Sequence, residues 1–121
     1  MPDYTPVHNP GHEVTLVASA AVTGGQCLVV SGNGTVAPGT AASAAFVGVA
    51  AFDAASGTRL TVFVHHFVHE TTASGAITAG DQLVNGPGGA VSTIGAGTAF
   101  QSIGTALTTA ANGALVRWIA K

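Results

Sequence analysis

The chain repeats itself at an interval of 55 residues. Residues 22–29 read VTGGQCLV, and residues 77–84 read ITAGDQLV. The preceding segments, residues 18–21 (ASAA) and 73–76 (ASGA), match at the same interval. A supersecondary unit of this size has an apolar side that it cannot bury alone, so two copies are expected to pack face to face.

The match continues toward the end of the chain after one inserted residue. Residues 47–50 (VGVA) return as residues 103–106 (IGTA), at an interval of 56 residues. The sequence therefore predicts two repeats, at about 12–66 and about 67–121. A duplicated scaffold whose halves carry different side chains is more typical of a structural or binding protein than of an enzyme.

Charge is scarce in this chain. Charged residues make up 7% of its 121 residues, against roughly 25% in ordinary globular proteins. Its surface must then consist largely of Ala, Gly, Thr and Ser, which protects poorly against association. We expect a subunit that is packed in an assembly; a compact domain with a bland exterior is the alternative.

The basic residues, Arg59, Arg117 and Lys121, are scattered, and the net charge is −2. Binding to nucleic acid would need clustered Lys and Arg, so none is expected. Gly, Thr or Ser interrupts every apolar run well before the ~20 residues of a membrane span. The single cysteine, Cys27, lies in an apolar segment and is expected to be a small core residue.

Residues 1–11 carry three prolines, which fix φ and remove backbone donors. This stretch is predicted to be an extended arm without regular structure. It is either a disordered tail or an arm that lies on a neighbouring subunit, where Tyr4 and Val7 would be buried. Residues 12–121 are predicted to form a single β domain.

Short segments rich in β-branched residues alternate with Gly-rich breaks from Glu13 onward. Seventeen glycines suit tight turns and disfavour long helices. One helical turn is conceivable at 40–45 and another at 96–99. The pattern predicts an all-β fold, a small antiparallel barrel or sandwich with pseudo-two-fold symmetry. The predicted strands are residues 14–18, 26–30, 46–52, 60–70, 82–84, 100–107 and 114–120.

The longest predicted strand, residues 60–70, contains the one cluster of titratable groups, His65, His66, His69 and Glu70. Neither face of this strand is uniformly polar, so it is central or it bends between the repeats. On a flat strand His65 and His69 share a face but lie roughly 13 Å apart, too far to bind one metal ion.

Three interpretations of these histidines stay open. They are interface or partly buried residues bonded to backbone groups, ligands of a metal within one chain, or ligands of a metal or anion shared between chains on a symmetry axis. We favour the first, and expect these four residues at inter-subunit or axis contacts.

Motifs that carry catalysis are missing from the sequence. It has no Gly-x-Ser-x-Gly nucleophile turn, no phosphate-binding loop and no dinucleotide fingerprint. Asp53 and Asp81 have no acidic or basic partner at a defined spacing. We therefore expect no enzymatic activity and no cofactor.

Several phrases together resemble the capsid cement, or head decoration, proteins of tailed bacteriophages. Their order and spacing carry the resemblance, which covers about residues 11–120; the histidine-rich segment 64–69 departs from the family pattern. The phrases are the repeated (Val/Ile)-Thr-x-Gly-x-x-Leu-Val, GHEVTL at 11–16, VGVA at 47–50, AASG at 54–57, GTRLTVFV at 57–64, AITAGDQL at 76–83 and GALVR at 113–117.

The resemblance implies a non-enzymatic protein of the virion. Such proteins bind the outer surface of the expanded head, usually as trimers, and bridge neighbouring major capsid subunits. It implies synthesis in the cytoplasm of the host bacterium, with the major capsid protein and further copies in a homotrimer as partners, and no nucleic acid or membrane. Residues Tyr4, Thr5, Pro6, Val7 and His8 would then form a capsid-binding arm.

Two other functions fit parts of the sequence. A surface-adsorption module that binds carbohydrate would need aromatic platforms, for which Trp118 and Tyr4 are the only Trp and Tyr. A histidine-dependent metalloprotein would need the histidines to converge on one point.

Overall fold

The computed structural model describes residues 12–64, 67–95, 97 and 99–121. Within these residues the chain forms short strands and two single 3-10 turns, Pro87–Gly89 and Ala99–Gln101. None of the helical segments described is long and apolar enough to cross a membrane. The strands are β1 (Glu13–Ala18), β2 (Cys27–Gly32), β3 (Thr35–Pro38), β4 (Phe46–Ala50), β5 (Arg59–Phe63), β6 (Val68–Thr72), β7 (Gln82–Asn85), β8 (Val91–Thr93), β9 (Gly104–Ala106) and β10 (Leu115–Ala120).

The first five strands close into a barrel in the order β1-β3-β2-β4-β5. Strand β1 is antiparallel to β5 and pairs in parallel with β3 over two residues, Val17 with Thr35 and Ala18 with Val36. Alternate side chains of these strands fill the barrel interior, where Leu28, Leu60 and Val62 are fully buried. The predicted all-β fold with a small barrel is confirmed.

The last five strands form a second sheet in the order β6-β10-β9-β7-β8. Its two edge strands, β6 and β8, approach each other at a single parallel bridge between Ala73 and Val91. The barrel closes through a two-residue ladder at the corresponding place, so the second sheet is the more open of the two.

The pairing registers of the second sheet repeat those of the barrel at the two sequence intervals. A residue pair of the barrel returns in the second sheet with its first residue 55 positions later and its second residue 55 or 56 positions later. On this basis we propose that the domain consists of the two repeats predicted from the sequence. Val14–Val62 recurs as His69–Trp118, Leu28–Gly48 as Leu83–Gly104, Ala18–Val36 as Ala73–Val91, and Val22–Ala54 as Ile77–Ala110.

The repeated phrase forms the same turn in each half. Gln26 Oε1 accepts a hydrogen bond from the Thr23 amide at 2.8 Å, and Asp81 Oδ2 accepts one from the Thr78 amide at 2.9 Å. The glycine before each acceptor has φ near +90°, a conformation that side chains disfavour. The phrase thus encodes a self-capped turn, and Asp81 is a turn residue.

The two halves pack through different surfaces. Cys27 and Val49 lie on the outside of the barrel, and with Phe46 they join the core around Trp118 on the inner side of the second sheet. The Phe46 and Trp118 rings are 6.2 Å apart. This packing is head to tail, unlike the face-to-face arrangement with pseudo-two-fold symmetry expected from the repeat.

The second sheet carries polar residues at the places that are apolar on the barrel. Gln82, Ser102 and Thr105 correspond to Cys27, Phe46 and Val49. The Gln82 amide donates to Thr105 Oγ1 at 3.1 Å, and the Ser102 hydroxyl donates to Gln82 Oε1 at 3.1 Å. These three side chains thus hydrogen-bond to one another on the side of the second sheet that faces away from the Trp118 core.

The predicted strand 60–70 is divided between the barrel and the second sheet. Leu60 and Val62 point into the barrel, whereas His69 and Thr71 point toward the interior of the second sheet. The inward positions change from even to odd numbers, which a single regular strand does not allow. The chain therefore changes sheets here, one of the two outcomes expected.

Some of the smaller predictions differ from the structure. Strands β3 and β8 are missing from the prediction. The predicted strand 100–107 holds part of a 3-10 turn before β9, and residues 40–45 contain a turn without helix. The predicted helical turn at 96–99 overlaps the 3-10 turn at Ala99, while residues 96 and 98 lie outside the described residues.

Candidate functional site

The predicted arm, Tyr4, Thr5, Pro6, Val7 and His8, lies outside the described residues, as do His65 and His66. His69 and Glu70 are described as neighbours in β6. They point to opposite sides, His69 toward Trp118 and Glu70 toward solvent. In the described part of the chain, no three His, Cys, Asp or Glu side chains come together as a metal site.

His69 is held in an aromatic environment. Its ring lies 5.5 Å from that of Trp118 and 6.1 Å from that of Phe67. Its Nε2 atom is buried and has no hydrogen-bond partner among the described residues. Burial lowers the pKa of this imidazole below its ordinary value of 6.5.

Trp118 links the second sheet to the barrel. Its Nε1–H donates to Thr71 Oγ1 at 3.0 Å, and the Thr71 hydroxyl donates to the Gly25 carbonyl at 3.0 Å. Trp118 is fully buried and takes the place that Val62 holds in the barrel. Because it is buried, Trp118 does not offer the aromatic platform that a carbohydrate-binding surface would need.

An open groove of about 410 Å³ lies between the halves. Glu70 is the one ionisable side chain among the described residues that line it, so it holds no pair of groups for acid–base or nucleophilic catalysis. Its chemistry is that of backbone amides, carbonyls and hydroxyls. The lining residues are 23–26, 70–72, 87–90 and Leu115.

A second surface lies on the solvent side of the second sheet. We call it the outer face, and its members alternate with buried residues along two paired strands. Leu115 is 62% exposed, Val68 52% and Ile119 36%. The outer face consists of Val68, Glu70 and Thr72 of β6 and Leu115, Arg117 and Ile119 of β10.

An ion pair lies at the centre of the outer face. Arg117 Nη2 is 3.6 Å from Glu70 Oε2, and both side chains are more than half exposed. Val68 pairs with Ile119 on one side of it, and Thr72 pairs with Leu115 on the other. The alternation of apolar residues in 115–120 predicts a strand, and its outward positions Leu115, Arg117 and Ile119 are the signal for this surface.

A family model described as phage cement protein matches residues 8–119, nearly the whole chain. The chain belongs to the phage cement protein family. The resemblance predicted from the sequence is thereby confirmed, and the protein is a structural protein of the phage head.

A solved structure has the same fold. The chain resembles the crystal structure of the head fiber gp8.5 N base of bacteriophage phi29, with 22% sequence identity and a TM-score of 0.66. The similarity covers 90% of this chain and 92% of that chain. Among curated proteins, none matches this chain.

Proposed function

We propose that this cement protein binds the outer surface of the phage head and holds neighbouring major capsid subunits together. The observation that carries this proposal is the match to the phage cement protein model over residues 8–119. A low charge content and a groove without catalytic groups support a binding role. Many modest contacts across a seam raise the effective affinity without one strong site.

The arm is the first part of this proposal. We propose that Tyr4, Thr5, Pro6, Val7 and His8 contact the capsid, with Tyr4 and Val7 as side-chain anchors. Prolines restrict the unbound chain, so less conformational entropy is lost when such a segment docks. An extended segment can add its backbone hydrogen bonds to a strand edge of a neighbour.

Assembly as a homotrimer is the second part. The large uncharged surface supports contacts between copies, and Glu70 presents its carboxylate on the outer face. His65, His66 and His69 remain candidates for contacts near an axis. His69 would act there through its packing on Phe67 and Trp118, since its ring faces inward.

Co-sedimentation with heads tests the proposed function. Purified protein is mixed with expanded heads that lack decoration, and the heads are pelleted. We expect saturable recovery of the protein in the pellet, with no recovery when heads are omitted. Protein that stays in the supernatant at every concentration would refute the proposal.

A further inference from the structure

The outer face exposes aliphatic side chains that the fold itself does not need. Residues of β10 alternate, so that Val116, Trp118 and Ala120 fill the core while Leu115, Arg117 and Ile119 face solvent. Exposed Thr or Ser at the outward positions would satisfy the same strand pairing. Leu115 and Ile119 are therefore explained by a contact outside the chain more readily than by folding.

The same surface of the barrel differs in character. Its corresponding rows pair Glu13 with Phe63, Thr15 with Thr61, and Val17 with Arg59. Each row contains a charged or hydroxyl side chain, and Phe63 is half-buried against Phe67 at 5.4 Å. Val68 and Leu115 stand where the barrel has Glu13 and Arg59, so the outer face exposes two aliphatic side chains at positions that are charged on the barrel.

Polar residues border the outer face within its own sheet. Beyond β10, Thr105 and Gln82 are hydrogen-bonded to each other on the neighbouring strands β9 and β7. Protein–protein interfaces commonly bury apolar side chains inside a polar rim, and on the outer face these apolar side chains are Val68, Leu115 and Ile119, on either side of the ion pair. On its other side β6 is an edge strand, joined to β8 by the single Ala73–Val91 bridge. Beyond that edge lies the groove, which residues 23–26 and 87–90 line together with residues 70–72.

The ion pair indicates which partner fits. Glu70 and Arg117 place one negative and one positive charge side by side, so the outer face is complementary to a rotated copy of itself. In such a contact the arginine of one copy meets the glutamate of the next. At 3.6 Å and more than half exposed, the pair within one chain is weak, and exchanging partners costs little.

We propose, as a refinement that rests on the function proposed above, that the outer face is the surface through which copies of this chain associate. The aliphatic residues Val68, Leu115 and Ile119 are buried against a second copy. Glu70 and Arg117 pair between copies, which sets their relative orientation.

A charge exchange tests this surface. Arg117→Glu and Glu70→Arg each place like charges on the outer face, so each variant alone is expected to dissociate, with a dissociation constant raised by about tenfold or more. In an equimolar mixture the two variants carry opposite charges. Mixed oligomers should then form at lower concentrations than oligomers of either variant alone, because a mixed trimer has like charges at only one of its three contacts. Stoichiometry is measured by native mass spectrometry and sedimentation velocity over a concentration series.

Matched variants control for general effects of charge. Arg59→Glu makes the same change on the barrel and should leave association unchanged. Leu115→Asp should abolish association, whereas Val30→Asp, at an exposed valine of the barrel, should not. Thermal unfolding of each isolated variant confirms that it is folded.

Three results would overturn the proposed surface. One is a wild-type protein that is monomeric in solution and not cross-linked to its neighbours through this face on decorated heads. Another is an equimolar mixture that associates no more readily than either variant alone, and the third is a control variant that dissociates as readily as Arg117→Glu. Wild-type oligomers that do not bind heads would refute the proposed function and leave this surface standing.

Discussion

The imidazole of His69 packs against the indole of Trp118, with ring centroids 5.5 Å apart, at the pair of positions that Val14 and Val62 occupy in the barrel. The second half of the protein thus has an imidazole and an indole, each with ring nitrogen, where the first half has two valines. The indole has a hydrogen-bond acceptor in Thr71, whereas Nε2 of the imidazole has none among the described residues.

His69 should make the protein less stable in acid. Burial lowers the pKa of this imidazole in the folded state, so the unfolded chain binds a proton more readily. This contribution to stability is complete above the unfolded pKa of 6.5 and is lost as the pH falls through 6.5 toward the folded value. His69→Phe keeps a ring and should flatten the pH dependence of the urea midpoint below neutrality. Equal slopes for His69→Phe and wild type would contradict the assignment.

Thr71→Val should destabilise the protein by about 1–3 kcal/mol, because the buried indole N–H of Trp118 loses its acceptor. The same change removes the hydrogen bond from Thr71 to Gly25, which links the sheet to the barrel. Thr15→Val is the matched control: it is a strand threonine with an exposed side chain on the barrel, and a change within about 0.5 kcal/mol is expected. Chemical denaturation of both variants measures the change in the free energy of unfolding. Equal losses of stability in the two variants would contradict the assigned role of Thr71.

Gly104→Ala should cost about 3 kcal/mol or prevent folding, because its Cβ would overlap neighbouring atoms. Those atoms are the Ile119 carbonyl oxygen and the Trp118 ring. Gly34→Asn is the comparison: its backbone has φ +67° with open space around it, and Asn accepts that conformation at a cost below about 1 kcal/mol. The soluble yield and the thermal unfolding midpoint are measured for both variants. A fully stable Gly104→Ala protein would show that β9 and β10 are not so close.

Cys27 should resist thiol reagents in the native protein. Its side chain is fully buried between the halves, and burial raises the pKa of the thiol to about 12. At about pH 8, labelling should be at least about a hundredfold slower than after unfolding, since the thiolate is the reactive form. An Asn33→Cys variant, in the exposed turn between β2 and β3, supplies an exposed thiol as the positive control. Rapid labelling of native wild type would mean that the two halves separate readily.

Deleting residues 1–9 should separate folding from binding. Both repeats begin after residue 11, so the thermal midpoint of the isolated protein should stay within a few degrees of wild type. Binding to heads should weaken at least about tenfold, roughly 1.4 kcal/mol per site. Tyr4→Ala should reproduce part of that loss. Truncated protein that decorates heads as well as the full chain does would show that the arm is only a tail.

The amino-acid sequence alone predicts the all-β class, the family and the turns that occur twice. The turns are predictable because their chemistry is local: a glycine with positive φ and a side-chain acceptor lie within four residues of each other. Strand alternation in residues 115–120 is also local and visible in the printed sequence. Short strands such as β8 are not predictable from the sequence, since three residues carry too little periodicity.

The tertiary structure alone decides which surface each strand buries. The sequence shows residues 60–70 as one β-rich run, yet the chain changes sheets within it, so His69 lies inside and Val68 outside. Cys27 and its counterpart Gln82 occupy the same position in their repeats, but only Cys27 is covered, because the halves stack head to tail. Local preference sets the strands and turns; contacts between residues distant in sequence determine what each strand faces.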